Sequence, residues 1–148
     1  MRSIEEVQKK LVFELKLMCE LFPPAPYYLT EEDLGPFVLA PAFAEFKPMP
    51  ISTQFSEGTI WGEPQYNWLF RAFHDTFHMY YGFPFTPDGE IKAAKEQATL
   101  ARVFEMHSLA QVMVIEIAGQ ACYERDHGEF PEQEWTIEMV QKYTSVFD

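Results

Sequence analysis

The sequence has few cysteines, few basic residues and no long apolar run. Its only two cysteines, Cys19 and Cys122, exclude a disulfide-stabilised scaffold, and we expect both to be free thiols in a reducing compartment. Residues 1–6 lack the apolar core of a signal peptide, so a cytoplasmic location is expected. The longest apolar candidate, residues 112–117, is interrupted by Glu116 and falls far short of the roughly 18 residues that a membrane span requires.

The shortage of positive charge restricts the partners of the protein. Eleven Lys and Arg against 23 Asp and Glu give a formal net charge of -12, which repels phosphate backbones and anionic membrane surfaces. The charge therefore argues against general nucleic-acid binding and membrane binding, whereas a basic protein partner is compatible with it. An aromatic content of 16% supplies a packed core and leaves self-association into an oligomer open.

The spacing of apolar residues predicts a mainly all-α fold with about four helices. Residues 1–21 and 65–81 each show helical periodicity, and a last helix follows Pro131. Residues 91–124 contain no proline, which predicts one long helix or two nearly collinear helices. We expect this long helix to pack antiparallel against the helix of residues 65–81.

Eight of the eleven prolines fall within residues 22–64. Proline removes backbone donors and disfavours helix in the residue before it, yet this segment is also rich in aromatic residues that are costly to leave in water. It is therefore predicted to be an ordered segment that wraps around the helices. A length of 148 residues is typical of one domain, so residues 1–148 are expected to form a single helical domain with a motif-bearing core at 65–148.

The strongest chemical pattern in the chain is His-Asp-x-x-His, formed by His74, Asp75 and His78. On a helix that turns about 100° per residue, Asn67 and Arg71 share one polar stripe with the two histidines. Two histidines one turn apart can direct ring nitrogens at a single cation, and Asp75 can ligate it or orient a ligand; this spacing suits Zn, Fe or Mn. A hydrogen-bonded histidine pair in a core has the same spacing.

A second polar pair lies inside an otherwise apolar helical run. Glu116 and Gln120 are one turn apart, and an ionised carboxylate in such surroundings requires a compensating partner. Ala118 and Gly119 leave room for a neighbouring helix, and the histidine helix is the best-matched candidate. Glu116 is therefore a candidate metal ligand and catalytic residue, and Gln120 is a candidate catalytic residue that orients a ligand.

Three further residues leave alternatives open. Glu90 follows the motif helix closely and is either a metal ligand or an acidic residue that complements a helix dipole. Arg71 either holds a substrate carboxylate or phosphate, as part of a catalytic site, or pairs with Glu116 or Asp75. His107 is either a site residue or a histidine at a packing boundary.

The combined pattern resembles an uncharacterised family of phage-associated helical proteins. The resemblance is carried by Arg-x-x-His-Asp-x-x-His at residues 71–78, Gly-Glu at 89–90 and Glu-x-x-x-Gln at 116–120, and it covers residues 66–123. It implies a phage source and a shared site. It implies no particular reaction.

The His74-Asp75-x-x-His78 run also resembles the His-Asp-x-Gly-His run of HD-type metal phosphohydrolases. Those enzymes are all-helical and use the adjacent His and Asp as metal ligands. They take another histidine from an upstream helix, whereas this chain has none before His74. A third interpretation is a helical iron site of carboxylates and histidines, in which Asp75-x-x-His78 replaces Glu-x-x-His without a second copy.

These features favour a phage-encoded metal-binding protein that is a metal-dependent hydrolase or oxygenase. A divalent metal, Zn, Fe or Mn, would activate water or oxygen for an unknown small-molecule substrate. Its expected ligands are His74 and His78 with one or more of Asp75, Glu90 and Glu116. The alternative is a non-enzymatic acidic phage protein that binds and inhibits a host protein, as a nucleic-acid mimic or anti-defence factor.

Overall fold

The computed structural model describes residues 1–148, apart from the side chain of Pro36, and it is mainly helical, which confirms the predicted fold class. Among the described residues, no helix combines the length and apolarity that crossing a membrane requires. The elements in chain order are α1 (Ile4–Leu21), β1 (Tyr27–Thr30), a 3-10 turn (Pro36–Val38), α2 (Leu39–Ala44), β2 (Met49–Ser52), α3 (Pro64–Tyr81), α4 (Pro87–Val103), α5 (His107–Met113), a π-helical turn (Val114–Gly119), α6 (Gln120–His127) and α7 (Gln133–Tyr143).

Helix α1 follows the predicted apolar periodicity. Its N-terminus is capped by Ser3, whose hydroxyl accepts a hydrogen bond of 3.2 Å from the Glu6 N–H. The buried apolar positions on α1 recur every three or four residues, as one face of a helix requires. They are Val7, Leu11, Leu15 and Met18. This face joins a cluster of buried side chains that extends along the chain to Phe147.

Two short strands lie within the proline-rich residues 22–64. Strands β1 and β2 pair in parallel, with Tyr27 opposite Met49 and Thr30 opposite Ser52. Met49 and Ile51 of β2 are buried, whereas β1 is largely exposed. Each strand is only four residues long, so the alternation that marks a strand in a sequence was too short to place them. The pair matters for the site because β2 ends beside α3.

Helices α3 and α4 form the expected antiparallel hairpin. Gly82 ends α3 in a left-handed conformation with φ of 71°, and Thr86 caps α4 through a hydrogen bond of 3.2 Å from the Gly89 N–H. Gly89 packs closely against the connection between the two helices: a Cβ added to it would lie 1.8 Å from the carbonyl oxygen of Pro84. The first turn of α4 can therefore pack against residues 83–85 only with glycine at this position.

The prediction of one long helix, or two nearly collinear helices, over residues 91–124 is wrong. The chain leaves the helical conformation after Val103, where Glu105 has φ of 59°. Helix α4 then packs side by side with α5, the π-helical turn and α6, so the two halves form an antiparallel hairpin. Small buried residues on α4 allow this close packing. They are Ala93, Ala94, Ala98 and Ala101.

The space beside Gly119 is occupied by α7 rather than by the histidine helix, which corrects the expected neighbour. A Cβ added to Gly119 would lie 3.3 Å from the ring of Trp135, a residue of α7. Gln120 also faces α7, since its side-chain amide donates a hydrogen bond of 2.8 Å to the Thr136 hydroxyl. The small residues of this run therefore serve the packing of the last helix.

Candidate metal centre

Three side chains from α3 and α4 converge on one point. His74 and His78 lie one turn apart on α3, and their Nε2 atoms are 3.1 Å from each other. Glu90 comes from the first turn of α4, with Oε2 2.9 Å from His74 Nε2 and Oε1 3.2 Å from His78 Nε2. These side chains form a group that could hold a metal ion, because their potential ligand atoms all lie within 4.8 Å of one another.

The second nitrogen of each imidazole ring is held by a hydrogen-bond acceptor. Nδ1 of His78 lies 2.9 Å from the carbonyl oxygen of Phe83, and Nδ1 of His74 lies 2.7 Å from Oε1 of Gln97. A backbone carbonyl oxygen can only accept, so Nδ1 of His78 carries a proton and donates. The Gln97 amide directs its nitrogen to Met113 Sδ at 3.5 Å, and with this orientation its oxygen accepts from Nδ1 of His74. In the neutral rings, both Nε2 atoms consequently present lone pairs to the same point, which is the arrangement of metal-binding histidines with fixed tautomers.

The group of His74, His78 and Glu90 is enclosed on the side of His78 and open to a cleft on the side of His74 and Glu90. His78 is fully buried, and its ring stacks on Phe85 with centroids 4.0 Å apart. His74 and Glu90 are partly exposed and line a cleft of about 670 Å³. The group is therefore accessible from the cleft on the side of His74 and Glu90.

The charges within the group are complementary to a cation. Burial raises the pKa of Glu90, but hydrogen bonds and charge from His74 and His78 outweigh burial and bring it to about 2. Burial lowers the pKa of His74, but the hydrogen bond and charge of Glu90 outweigh burial and leave it raised. The carboxylate is thus ionised near neutral pH. Without a metal ion, a proton on Nε2 makes the hydrogen bond to Glu90; a bound metal ion would take the place of that proton and use the Nε2 lone pairs and the carboxylate together.

The cleft wall contains the other residues that the sequence indicated. They are Asn67, Arg71, Asp75, Glu116 and Gln120. Neither Asp75 nor Glu116 belongs to the three-residue group, so their roles as metal ligands stay predictions. Asp75 directly follows His74 and is therefore turned about 100° away from it around the helix. Burial raises the pKa of Asp75 to about 6.

Glu116 lies on the π-helical turn. Such turns are rare and occur often at functional sites, because they shift one residue of a helix out of the regular pattern. Burial raises the pKa of Glu116 to about 7, although the charges of Arg71 and His74 lower it. Its Oε2 atom is buried and has no hydrogen-bond partner in the described part of the chain. Glu116 is therefore a cleft residue able to exchange a proton near neutral pH.

Arg71 is held by backbone carbonyls rather than by a carboxylate. Its Nη1 donates a hydrogen bond of 2.7 Å to Ser52 O, and its Nη2 donates one of 3.2 Å to Phe55 O. Of the two alternatives that the sequence left open, the ion pair with Glu116 or Asp75 is absent among the described side chains. The end of β2 and the loop after it thus fix the guanidinium in the cleft wall.

The sequence did not identify the residues that orient the two histidines. Gln97 is fully buried and lies seven residues after Glu90, which places both on the same face of α4. A lone glutamine in an alanine-rich helical face was the available signal. The carbonyl oxygen of Phe83 gave no signal in the sequence, because every residue has a backbone carbonyl. His107 is exposed at the first position of α5 and does not line the cleft.

We predict that Gln97→Leu weakens metal binding about 10–100-fold, which is typical when the partner of a ligating histidine is removed. Leucine fills a similar volume but leaves Nδ1–H of His74 without its acceptor. Equilibrium competition with a chromogenic chelator measures the affinity, and circular dichroism checks the fold. Gln111→Leu is the matched control, since Gln111 is a glutamine remote from the cleft whose side chain bonds the His107 carbonyl and Ser145. Equal affinity in the two variants would contradict the orienting role of Gln97.

Comparisons with known proteins gave no match: no family model, curated protein or solved structure is significantly similar to this chain. The resemblances to phage-associated proteins and to HD-type phosphohydrolases stay predictions. The function must therefore be argued from the geometry and chemistry of the cleft.

Proposed function

We propose that this protein binds one divalent transition-metal ion through Nε2 of His74, Nε2 of His78 and the carboxylate of Glu90. The observation that carries the proposal is the engagement of both Nδ1 atoms by acceptors, which turns both Nε2 lone pairs toward Glu90. Two histidines and a carboxylate are a donor set that suits Zn, Fe or Mn.

The distances within the group support a single shared ion. Two nitrogens bound to one ion at about 2.1 Å, with an angle between about 90° and 109°, are roughly 3.0–3.4 Å apart. The Nε2 atoms of His74 and His78 are separated by 3.1 Å. The group therefore needs little rearrangement to accept an ion.

Water activation is the reaction that the cleft favours, and we propose a metal-dependent hydrolase. Three protein ligands leave a coordination position for water, and a metal ion lowers the pKa of such water toward neutrality. Glu116 lines the same cleft, and burial raises its pKa to about 7, which suits a residue that accepts a proton from the water. Gln120 lies one turn further along and adds a polar group to that wall.

An oxygenase is the second candidate, because the donor set itself favours it. Two histidines and one carboxylate with open positions are the ligand set of non-haem Fe(II) oxygenases. Metal preference and oxygen consumption separate the two candidates. A hydrolase works with Zn or Mn in the absence of oxygen, whereas an oxygenase requires Fe(II) and consumes oxygen.

Metal analysis of the untagged protein, purified without chelator, tests the proposed site. We expect about one equivalent of Zn, Fe or Mn per chain, and removal of the ion should lower the unfolding midpoint. An ion present at about 100 times its dissociation constant stabilises the fold by about 2.7 kcal/mol. Mg²⁺ is the control, since it prefers oxygen ligands and should raise the midpoint little. A metal-free protein whose midpoint is insensitive to added Zn, Fe and Mn would refute the site.

A further inference from the structure

Arg71 has unused hydrogen-bonding capacity beside the candidate metal centre. It lies one turn before His74 on α3, and its guanidinium lines the same cleft. The carbonyl oxygens of Ser52 and Phe55 engage two of its five N–H donors. The remaining donors have no protein partner in the described structure. The guanidinium is therefore held in place while these donors stay available to a ligand.

The positive charge of Arg71 is also not neutralised by an ion pair. Burial lowers the pKa of Arg71, while the more distant carboxylates of Glu116, Asp75 and Asp33 raise it. A guanidinium stays protonated in proteins, and a partly buried one normally has a paired anion. An anionic ligand would supply that missing partner through charge-assisted, bidentate hydrogen bonds.

The cleft offers both polar and apolar surface to a ligand. Its volume of about 670 Å³ is within the range of small-molecule sites. Apolar side chains line the space beside Arg71 and the metal centre. They include Leu39, Ile51, Phe70, Phe85 and Ile117. A ligand with an acidic group and an apolar body would match these walls.

We infer that the substrate is a small organic acid whose carboxylate or phosphate group binds Arg71 while its reacting group faces the metal held by His74, His78 and Glu90. This inference rests on the proposed metal site. With a divalent ion bound, the ion and Arg71 form two positive centres along α3, which attract an anion into an otherwise acidic protein.

Titration of the metal-loaded protein with simple probes tests the inference. Acetate and inorganic phosphate are titrated separately by calorimetry, and neutral acetamide is the matched probe for acetate. We expect at least one anion to bind and acetamide not to bind. In Arg71→Gln, anion binding should weaken at least about tenfold, because a charge-assisted hydrogen bond is lost, while metal stoichiometry is unchanged. The stronger anion identifies the acidic group.

Two controls separate recognition from structural effects. Arg125→Gln alters an exposed arginine at the cleft that pairs with Asp126 at 3.0 Å, and it should leave anion affinity unchanged. Arg71→Lys keeps the charge and should retain part of the affinity. If Arg71→Gln does not fold, Arg71→Lys decides, because an ammonium cannot reproduce the forked hydrogen bonds of a guanidinium and should bind the anion measurably less tightly than the unmodified protein. Unchanged anion affinity in Arg71→Lys would then refute the inference.

The outcomes distinguish this inference from the metal proposal. A protein without metal refutes both. Stoichiometric metal with neither acetate nor phosphate binding more tightly than acetamide refutes the inference alone. Anion binding that is unchanged in Arg71→Gln also refutes it, because the anion then sits on the metal without Arg71.

Discussion

We expect stoichiometric metal to be lost when His78 is replaced by alanine, and this is the largest effect that we expect at the site. The substitution removes one of the two proposed nitrogen ligands, so metal affinity should fall by more than the roughly 10–100-fold typical of losing an orienting residue. It also leaves a cavity at a fully buried position, where the His78 ring stacks on the Phe85 ring with centroids 4.0 Å apart. This cavity should lower the free energy of unfolding by roughly 2–5 kcal/mol. Metal analysis and urea unfolding measure the two effects.

Two further variants separate ligation from folding. Glu90→Gln keeps the size of the side chain and removes its charge, so the fold should persist while metal affinity falls. His127→Ala is the matched control, because His127 is exposed, hydrogen-bonds the Tyr123 carbonyl of its own helix and stacks on the Tyr123 ring, with centroids 4.0 Å apart. It should retain metal and stability. A folded His78→Ala protein that still carries one equivalent of metal would contradict the assignment of ligands.

Gly89→Ala is expected to have the largest effect of a single methyl group. The new Cβ would lie 1.8 Å from the Pro84 carbonyl oxygen, a backbone atom that cannot rotate away. The first turn of α4 must then separate from residues 83–85, at a cost of about 3 kcal/mol or more. Because Glu90 is the next residue, the same shift should weaken metal binding. Urea unfolding and a chelator competition report the two losses.

Gly128→Ala provides the comparison for Gly89→Ala. Gly128 ends α6 with φ of 80°, and no atom lies within 4 Å of a Cβ added there. Its replacement strains only the backbone and should cost about 1 kcal/mol. If Gly89→Ala were no more destabilising than Gly128→Ala, the close contact at Pro84 would be wrong.

The source and the partners of the protein stay predictions. Most residues that carry the phage-associated resemblance line one cleft, but this proximity does not test the source. The alternative of an acidic protein that binds a host protein rests on the net charge of -12 alone. Affinity capture with charge-reversed surface variants would test it separately from the metal site.

The sequence by itself determined the helical class and the face of α3 that carries the site. His74 and His78 are four residues apart, and Arg71 precedes His74 by three, so local helix geometry alone puts them on one stripe. The tertiary structure decided which acidic residue completes the group. Asp75, Glu90 and Glu116 were all candidates; among the described side chains, Glu90 lies close to both Nε2 atoms, at 2.9 and 3.2 Å, and the roles of the other two stay predictions.

The physical reason is that the residues around a site depend on where the chain reverses direction, and the reversal between α4 and α5 has no local signal in the sequence. Glu105 adopts a left-handed conformation without glycine or proline, so the hairpin of α4 and α5 could not be read from composition. Gly89 packs against the Pro84 carbonyl, and the Phe83 carbonyl accepts a hydrogen bond from His78. Both contacts form at the α3–α4 connection only when the chain is folded. Periodicity fixed which side chains share a face, and packing decided which faces meet.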